Sequence, residues 1–118
     1  MSICIRDARA GDAAICEAIL RGLPDWFGIE SSLVQYVQDV EKLPTLIAEV
    51  ENRPVGFLTL RHHFPQSAEI HCMAIVADYH RRGVGKALVR HCEAACRILG
   101  VEYLQVKTVG PSRPCEYY

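Results

Sequence analysis

EIHCMAIVADYHRRGVGKAL, residues 69–88, is the stretch that decides how this chain folds. Its first half alternates as a strand does: Ile70, Cys72, Ala74 and Val76 make one apolar face, while Glu69 and His71 take the other. Its second half changes to helical spacing. Val84, Ala87 and Leu88 begin a stripe that continues through Ala95, Ile98 and Leu99 and stops at Gly100, a residue favoured just past a helix end. Between the two lies HRRGVG. A helix starts with four backbone N–H groups that lack intrahelical partners, and a Ser, Thr, Asp or Asn side chain usually covers them. Positions 79–85 offer none. Gly83 and Gly85 instead clear side chains from the approach, Arg81, Arg82 and Lys86 add positive charge, and no carboxylate occurs between Tyr79 and Cys92. Such an entrance suits an anion, above all a phosphate or pyrophosphate, held by main-chain amides and the helix dipole.

Working outward from this stretch, Gly100 is followed by VEYLQVKTV, which reads as a last strand. On the other side, TLIAEVENRPVGFLTLRH reads as two strands joined by a tight turn at Glu51-Asn52-Arg53-Pro54. The loop HHFPQS then leads into the strand beginning at Ala68. Further upstream, SICIR is a short strand, and RAGDAAICEAILRGL a helix with Asp12 at its N-cap and Ile15, Ala18 and Ile19 on one face. Leu23-Pro24 ends that helix, and PDWFG is an aromatic loop. A second helix is expected from Ser31 or Ser32 through LVQYVQDVEKL, with Leu33, Tyr36, Val37 and Val40 as its stripe and Pro44 as its stop. The order is β-α-α-β-β-β-α-β, one α/β domain over residues 1–118 with no internal repeat.

Composition narrows the function. The chain has 118 residues, 50% apolar and 23% charged, with a net charge of −1, the profile of one compact globular domain. Balanced charge leaves no basic face of the kind nucleic acid requires. No apolar run approaches the ~18 residues of a membrane span, and the charged N-terminus is unlike a signal peptide, so the expected location is cytoplasmic. Of the six cysteines, most lie in apolar periodic stretches, where small buried thiols are the economical reading. Cys92 and Cys96 stand one helical turn apart with His91 adjacent, but a zinc site needs about four converging ligands and no second pair has metal spacing. No metal is expected, and His62 and His63 read as loop residues.

Two familiar phosphate loops do not fit. A Walker loop needs a glycine five residues before Gly85, where His80 stands, and Ser or Thr after Lys86, where Ala87 stands. A dinucleotide fingerprint needs a third glycine where Leu88 stands. The segment His80-Arg81-Arg82-Gly83-Val84-Gly85, with its preceding strand and following helix, instead resembles the acetyl-coenzyme A loop of the GNAT superfamily of N-acetyltransferases. That signature is Gln/Arg-x-x-Gly-x-Gly/Ala at the start of the central helix, and this chain departs from it at His80. The order of elements is similar to the superfamily from residue 3 to about 109, with residues 110–118 a loop or tail.

The resemblance implies a mixed sheet with helices on both faces, shortened at its C-terminal end. It also implies a reaction: transfer of an acetyl group from acetyl-coenzyme A to a primary amine by direct attack in a ternary complex. Coenzyme A would be held by the loop Arg81, Arg82, Gly83, Val84, Gly85, Lys86 and Ala87, with the amides of Arg82 through Lys86 on the pyrophosphate. Backbone groups of Met73, Ala74, Ile75 and Val76 would pair with the pantetheine arm, and the Met73 amide would polarise the thioester carbonyl. The strands flanking the central helix would splay apart around the thioester. Glu69 matches a glutamate that some members use as base; His71, on the same face, is the competing base. Trp26 and Phe27 would line the acceptor pocket, for a small-molecule or peptide amine.

Members of the superfamily continue past the fifth strand with another helix and two more strands, where a tyrosine commonly serves as general acid. Here the sequence closes with VGPSRPCEYY, in which Tyr117 or Tyr118 matches an earlier loop tyrosine instead. Two expectations follow: the acid is absent, and two chains associate through the last strand, whose apolar edge would otherwise be uncovered. The alternative to an enzyme is a coenzyme A-binding or dimerisation module of the same fold with impaired catalysis.

Overall fold

A computed structural model describes residues 2–64, 67–98, 100 and 103–106, with positions 25, 26, 63, 64 and 103–106 described by backbone alone. The chain runs β1 (Ile3–Asp7), α1 (Asp12–Arg21), α2 (Pro24–Phe27), α3 (Glu30–Lys42), β2 (Thr45–Val50), β3 (Arg53–Phe64), β4 (Ser67–Ile75), a single 3-10 turn (Ala77–Tyr79), α4 (Val84–Ile98) and β5 (Tyr103–Val106). The strands form one sheet in the order β1-β2-β3-β4-β5, antiparallel except for the β4–β5 pair, which is parallel as a strand–helix–strand crossover through α4 requires.

Each face of the sheet buries its own core. On one face, Val84, Leu88, Cys92 and Cys96 of α4 pack on Leu58, Leu60, Ile70, Met73 and Ile75. On the other, Cys16, Ile19 and Leu20 of α1 join Phe27, Leu33 and Val40 of α2 and α3 over Ile47, Phe57, Cys72 and Ala74. The expected α/β architecture with helices on both faces is what the chain adopts. Among the described residues, no helix is long and apolar enough to cross a membrane.

Four local expectations are corrected. Glu51 and Asn52 both take positive φ, 53° and 66°, the geometry of a two-residue hairpin turn whose twist matches the strands; Arg53 and Pro54 therefore belong to β3, where a register shift beside Glu49 accommodates the proline. PDWF is a helical turn, α2, with Pro24 at its start, where a missing N–H costs nothing. The second long helix begins at Glu30, one residue before Ser31. Asp12 does not cap α1 but is its first residue: Arg6 Nη1 donates to its carboxylate at 2.8 Å and the Arg9 amide at 2.6 Å, so the side chain turns back toward β1.

A fifth correction shapes the site. Ile70 does not share a face with Cys72 and Ala74. Thr59 pairs with Cys72 but the next residue, Leu60, pairs with Ile70, so His71 is an extra residue in β4. This bulge puts Ile70 with Met73 and Ile75 on the α4 face and leaves Cys72 and Ala74 on the α1–α3 face. Simple alternation missed it because a bulge breaks the period of two.

Candidate active site

The corner between β4 and α4 is made of main chain. The Val76 amide donates to Val55 at 2.8 Å, prolonging β4 by a residue, and the 3-10 turn then lifts the chain off the sheet. Arg81 (φ 63°) and Gly83 (φ 85°) both take left-handed φ. For Arg81 that conformation costs about 1 kcal/mol or more, the kind of strain that gathers at functional corners. A Cβ on Gly83 would meet nothing within 4 Å, so the space before it is open. The first bond of α4 runs from the Ala87 amide to the Gly83 carbonyl at 3.0 Å, leaving Val84, Gly85 and Lys86 as the amides ahead of it. Among the described residues no side chain accepts a hydrogen bond from them.

From His80 to Lys86, past Asp78 of the 3-10 turn, the charge at this corner has one sign. Arg81, Arg82 and Lys86 are exposed, and the Arg82 guanidinium lies 5.8 Å from the centre of the Tyr79 ring. The two glycines differ: Gly83 is exposed, whereas Gly85 is buried with Val84. Of the two glycines, Gly83 is therefore the one open to solvent and Gly85 the one covered. Gly56 of β3 serves close packing, since a Cβ there would stand 2.9 Å from Ile75 Cδ1, 3.1 Å from the Ala74 carbonyl and 3.4 Å from Val84 Cγ1. Its absence seats the first turn of α4 on the sheet. His80, which departs from the superfamily signature, donates from Nε2 to the Ile75 carbonyl at 2.7 Å and ties the loop back to the end of β4.

The bulged half of β4 is built from side chains. His71 is buried, and its Nε2 lies 2.8 Å from Oδ2 of Asp39 on α3, itself buried. Gln35 Nε2 donates to the other Asp39 oxygen at 2.9 Å, and Arg61 Nη2 stands 3.9 Å from Oδ2. Burial drives the Asp39 carboxyl upward, but the bonds from His71 and Gln35 and the nearby cations outweigh it and hold the group below the usual carboxylate range. The Tyr36 ring meets His71 edge-on at 5.5 Å and Phe27 at 5.8 Å. Burial raises its hydroxyl, with Cys72, Asp39 and Glu69 adding to the effect, so Tyr36 stays protonated. Glu69 is half-buried opposite Arg61 and beside Gln105 of β5.

The sequence-predicted residues thus fall in two groups along one strand. Glu69 and His71 share the α1–α3 face with Phe27, while Met73, Ala74, Ile75 and Val76 lead into the 81–87 loop. The described β4–β5 pairing spans Ser67–Ile70. The splay expected beyond it, the side chain of Trp26 and the tail carrying Cys115, Tyr117 and Tyr118, with the general acid and chain pairing read from it, lie outside the described residues. Sequence reading missed Asp39 and gave Tyr36 only a packing role. The available signal was a carboxylate three residues after Tyr36, at the margin of the Leu33-Tyr36-Val37-Val40 stripe, which a buried helix face tolerates only with a partner.

Elsewhere the structure is plain. A cavity of about 750 Å³ between the β1–α1 turn, the end of α3 and α4 holds none of the predicted site residues. Cys16, Cys72, Cys92 and Cys96 are buried free thiols and Cys4 an exposed one; burial pushes Cys16 and Cys92 up to about 12, out of the range of reactive thiolates. Among the described residues no three His, Cys, Asp or Glu side chains gather as metal ligands.

Comparison with known proteins gives this arrangement a context. An uncharacterized N-acetyltransferase from Chlorobaculum tepidum is 23% identical over 107 residues, 90% of this chain and 68% of its own. An IAA acetyltransferase from Bacillus cereus has the same fold with a TM-score of 0.72 at 25% identity, over 91% of this chain and 66% of that one. N-acetylglutamate synthase from Neisseria gonorrhoeae, complexed with coenzyme A and N-acetyl-glutamate, is similar over 86% of this chain and 24% of its own, with a TM-score of 0.64 at 22% identity. The model of the acetyltransferase (GNAT) family matches residues 14–114, and on that span the chain belongs to the GNAT family.

Proposed function

We propose that the protein transfers an acetyl group from acetyl-coenzyme A to a primary amine held beside it. The observation that carries the reading is the start of α4, where amides ahead of the first helical bond, an open Gly83 and three exposed cations meet with no carboxylate among them. These residues fit a diphosphate: the amides of Arg82 through Lys86 would bind its oxygens, with Arg81 and Ala87 at the border. Main-chain groups of Met73, Ala74, Ile75 and Val76, the end of β4 that leads into the loop, would orient the pantetheine arm as an added strand does. Acetyl-coenzyme A supplies an acetyl carbon already activated by a thiolate leaving group.

The chain's own task is then modest. It must align the amine with the acetyl carbon, take a proton from the amine, and direct a polarising donor, the Met73 amide, at the carbonyl. Glu69 and His71 are the two proton acceptors on the α1–α3 face. Phe27, in edge contact with Tyr36 and through it with His71, would wall the acceptor side together with Trp26.

Calorimetric titration with coenzyme A tests the reading. Gly83→Glu places a negative side chain at the approach to the amides and should weaken affinity by about 100-fold, equivalent to ~2.7 kcal/mol. The left-handed backbone at that position should cost only ~1 kcal/mol of stability. Equal affinity in the variant and the parent would remove the loop, and with it the cofactor, from the proposal. Thiol release from acetyl-coenzyme A in the presence of an amine panel separates an enzyme from a module that only binds.

A further inference from the structure

Asp39 and His71 lie 32 residues apart in the chain, on α3 and on the bulge of β4, yet each is 4% exposed and the two share a 2.8 Å hydrogen bond. Asp39 is held ionised and can only accept, so the hydrogen in that bond sits on His71 Nε2. A neutral ring then has its lone pair on Nδ1. That atom is buried and has no hydrogen-bond partner among the described residues. A buried acceptor without a donor loses about 1–3 kcal/mol, and such groups call for a functional account. The extra residue of the bulge is His71 itself, so the irregularity in β4 places this ring where regular pairing would not.

We propose that His71 Nδ1 is the atom that takes the proton from the incoming amine, and that Asp39 is a positioning residue that fixes the tautomer and orientation of the ring. This rests on the acetyl-transfer reading above. In the step, one ammonium N–H bond breaks and its electron pair stays on nitrogen, which becomes the nucleophile. The proton forms a bond to Nδ1, and the imidazole becomes an imidazolium whose Nε2–H still faces the Asp39 carboxylate. The missing donor at Nδ1 is thus supplied by the substrate. Among the described residues, the other groups in or beside this cluster are Tyr36 from α3, Arg61 from β3, and Glu69 and Cys72 from β4. Gln35 holds Asp39 at its second oxygen, and Tyr36 lies against the ring edge, so the dyad is braced from α3.

The test has two readouts on the full chain. In the first, imidazole nitrogen-15 resonances of the protein with coenzyme A are followed against pH. A neutral His71 should carry its proton on Nε2, and Asp39→Asn should populate the other tautomer, because an amide can donate to Nε2 as well as accept from it. A proton on Nδ1 in the parent's neutral ring, or unchanged tautomers in the variant, would overturn the positioning role. In the second, thiol release from acetyl-coenzyme A is measured with ethylamine and benzylamine as probe amines. His71→Gln should lower kcat by about 100-fold or more with coenzyme A affinity unchanged. The acid limb of the rate profile should vanish in His71→Gln. A limb that survives His71→Gln and disappears in Glu69→Gln would assign the proton to Glu69 and overturn the proposal. A parent protein that binds coenzyme A yet releases no thiol would instead overturn acetyl transfer, and with it the part given to His71, while the resonances still decide whether the dyad exists.

Discussion

The two halves of β4 carry different kinds of candidate site. From Ile75 onward, the strand feeds a corner whose working groups are main-chain amides, open at Gly83 and ringed by exposed cations. From Glu69 to Cys72, the same strand holds a cluster whose working groups are side chains, closed over by α3 and joined by hydrogen bonds across 32 residues. An amide is present at every non-proline position, so the first site tolerates side-chain change as long as the backbone path is kept. A carboxylate–imidazole pair depends on two identities at once. Substitution should therefore affect ligand binding at the corner and folding at the cluster, with little crossover.

The largest effect should come from the cluster. Asp39→Ala leaves the buried His71 without its acceptor, and should cost about 3 kcal/mol, at the low end for breaking a buried pair. For a domain of this size that lowers Tm by roughly 10 °C. Affinity for coenzyme A, measured on the folded fraction by calorimetry, should stay as in the parent. The stability gap should also depend on pH. Asp39 has a folded pKa below its unfolded one, so its contribution is complete above about pH 4 and is lost as pH falls through the depressed folded value. Melting curves between neutral and acid pH should show parent and variant converging. Equal Tm at pH 7 would mean the pair does not hold α3 to β4.

The same contrast explains what could be read in the sequence. The corner was legible because its determinants are contiguous: a strand pattern, a gap in caps, two glycines and a helix stripe within residues 69–88. The layered fold followed, since helical and strand periods are local signals. The cluster was not legible, because no local pattern says that Asp39 meets His71. The bulge that allows the meeting breaks the alternation from which strand faces are read. The turn spans only Glu51-Asn52, two residues fewer than its sequence suggests, for a similar reason: the proline that reads as a bend stands at the start of β3, after the two left-handed residues that make the turn.

Gly56 is where the two halves should cease to be independent. It lies in β3 opposite Ile75, and an added Cβ would press on Ile75, Ala74 and Val84 together. Gly56→Ala should cost about 2 kcal/mol, in the range of overpacked cores. Because Val84 begins α4, the same shift should tilt the amides and weaken coenzyme A binding as well. Circular dichroism melts and calorimetry on one preparation would show both losses. Loss of stability with intact affinity would mean the helix start rides on its own loop, independent of the sheet beneath it.

The smallest expected effect is also the finest probe of the corner. His80 stands where the superfamily signature has Gln or Arg, and the structure gives it a task any of these side chains can perform: donating to the Ile75 carbonyl, here at 2.7 Å. Removing that bond in His80→Ala should cost about 1 kcal/mol, which appears as roughly fivefold weaker coenzyme A binding if the loop is held by it. His80→Gln restores a donor without a ring and should recover most of the affinity. Recovery by Gln separates the bond from any other contact of the imidazole, because those contacts leave with the ring in both variants. If alanine and glutamine weaken binding alike, the ring itself supports the loop. If neither does, the left-handed turns at Arg81 and Gly83 hold their shape unaided, and the corner is more purely a main-chain site than the hydrogen bond suggests.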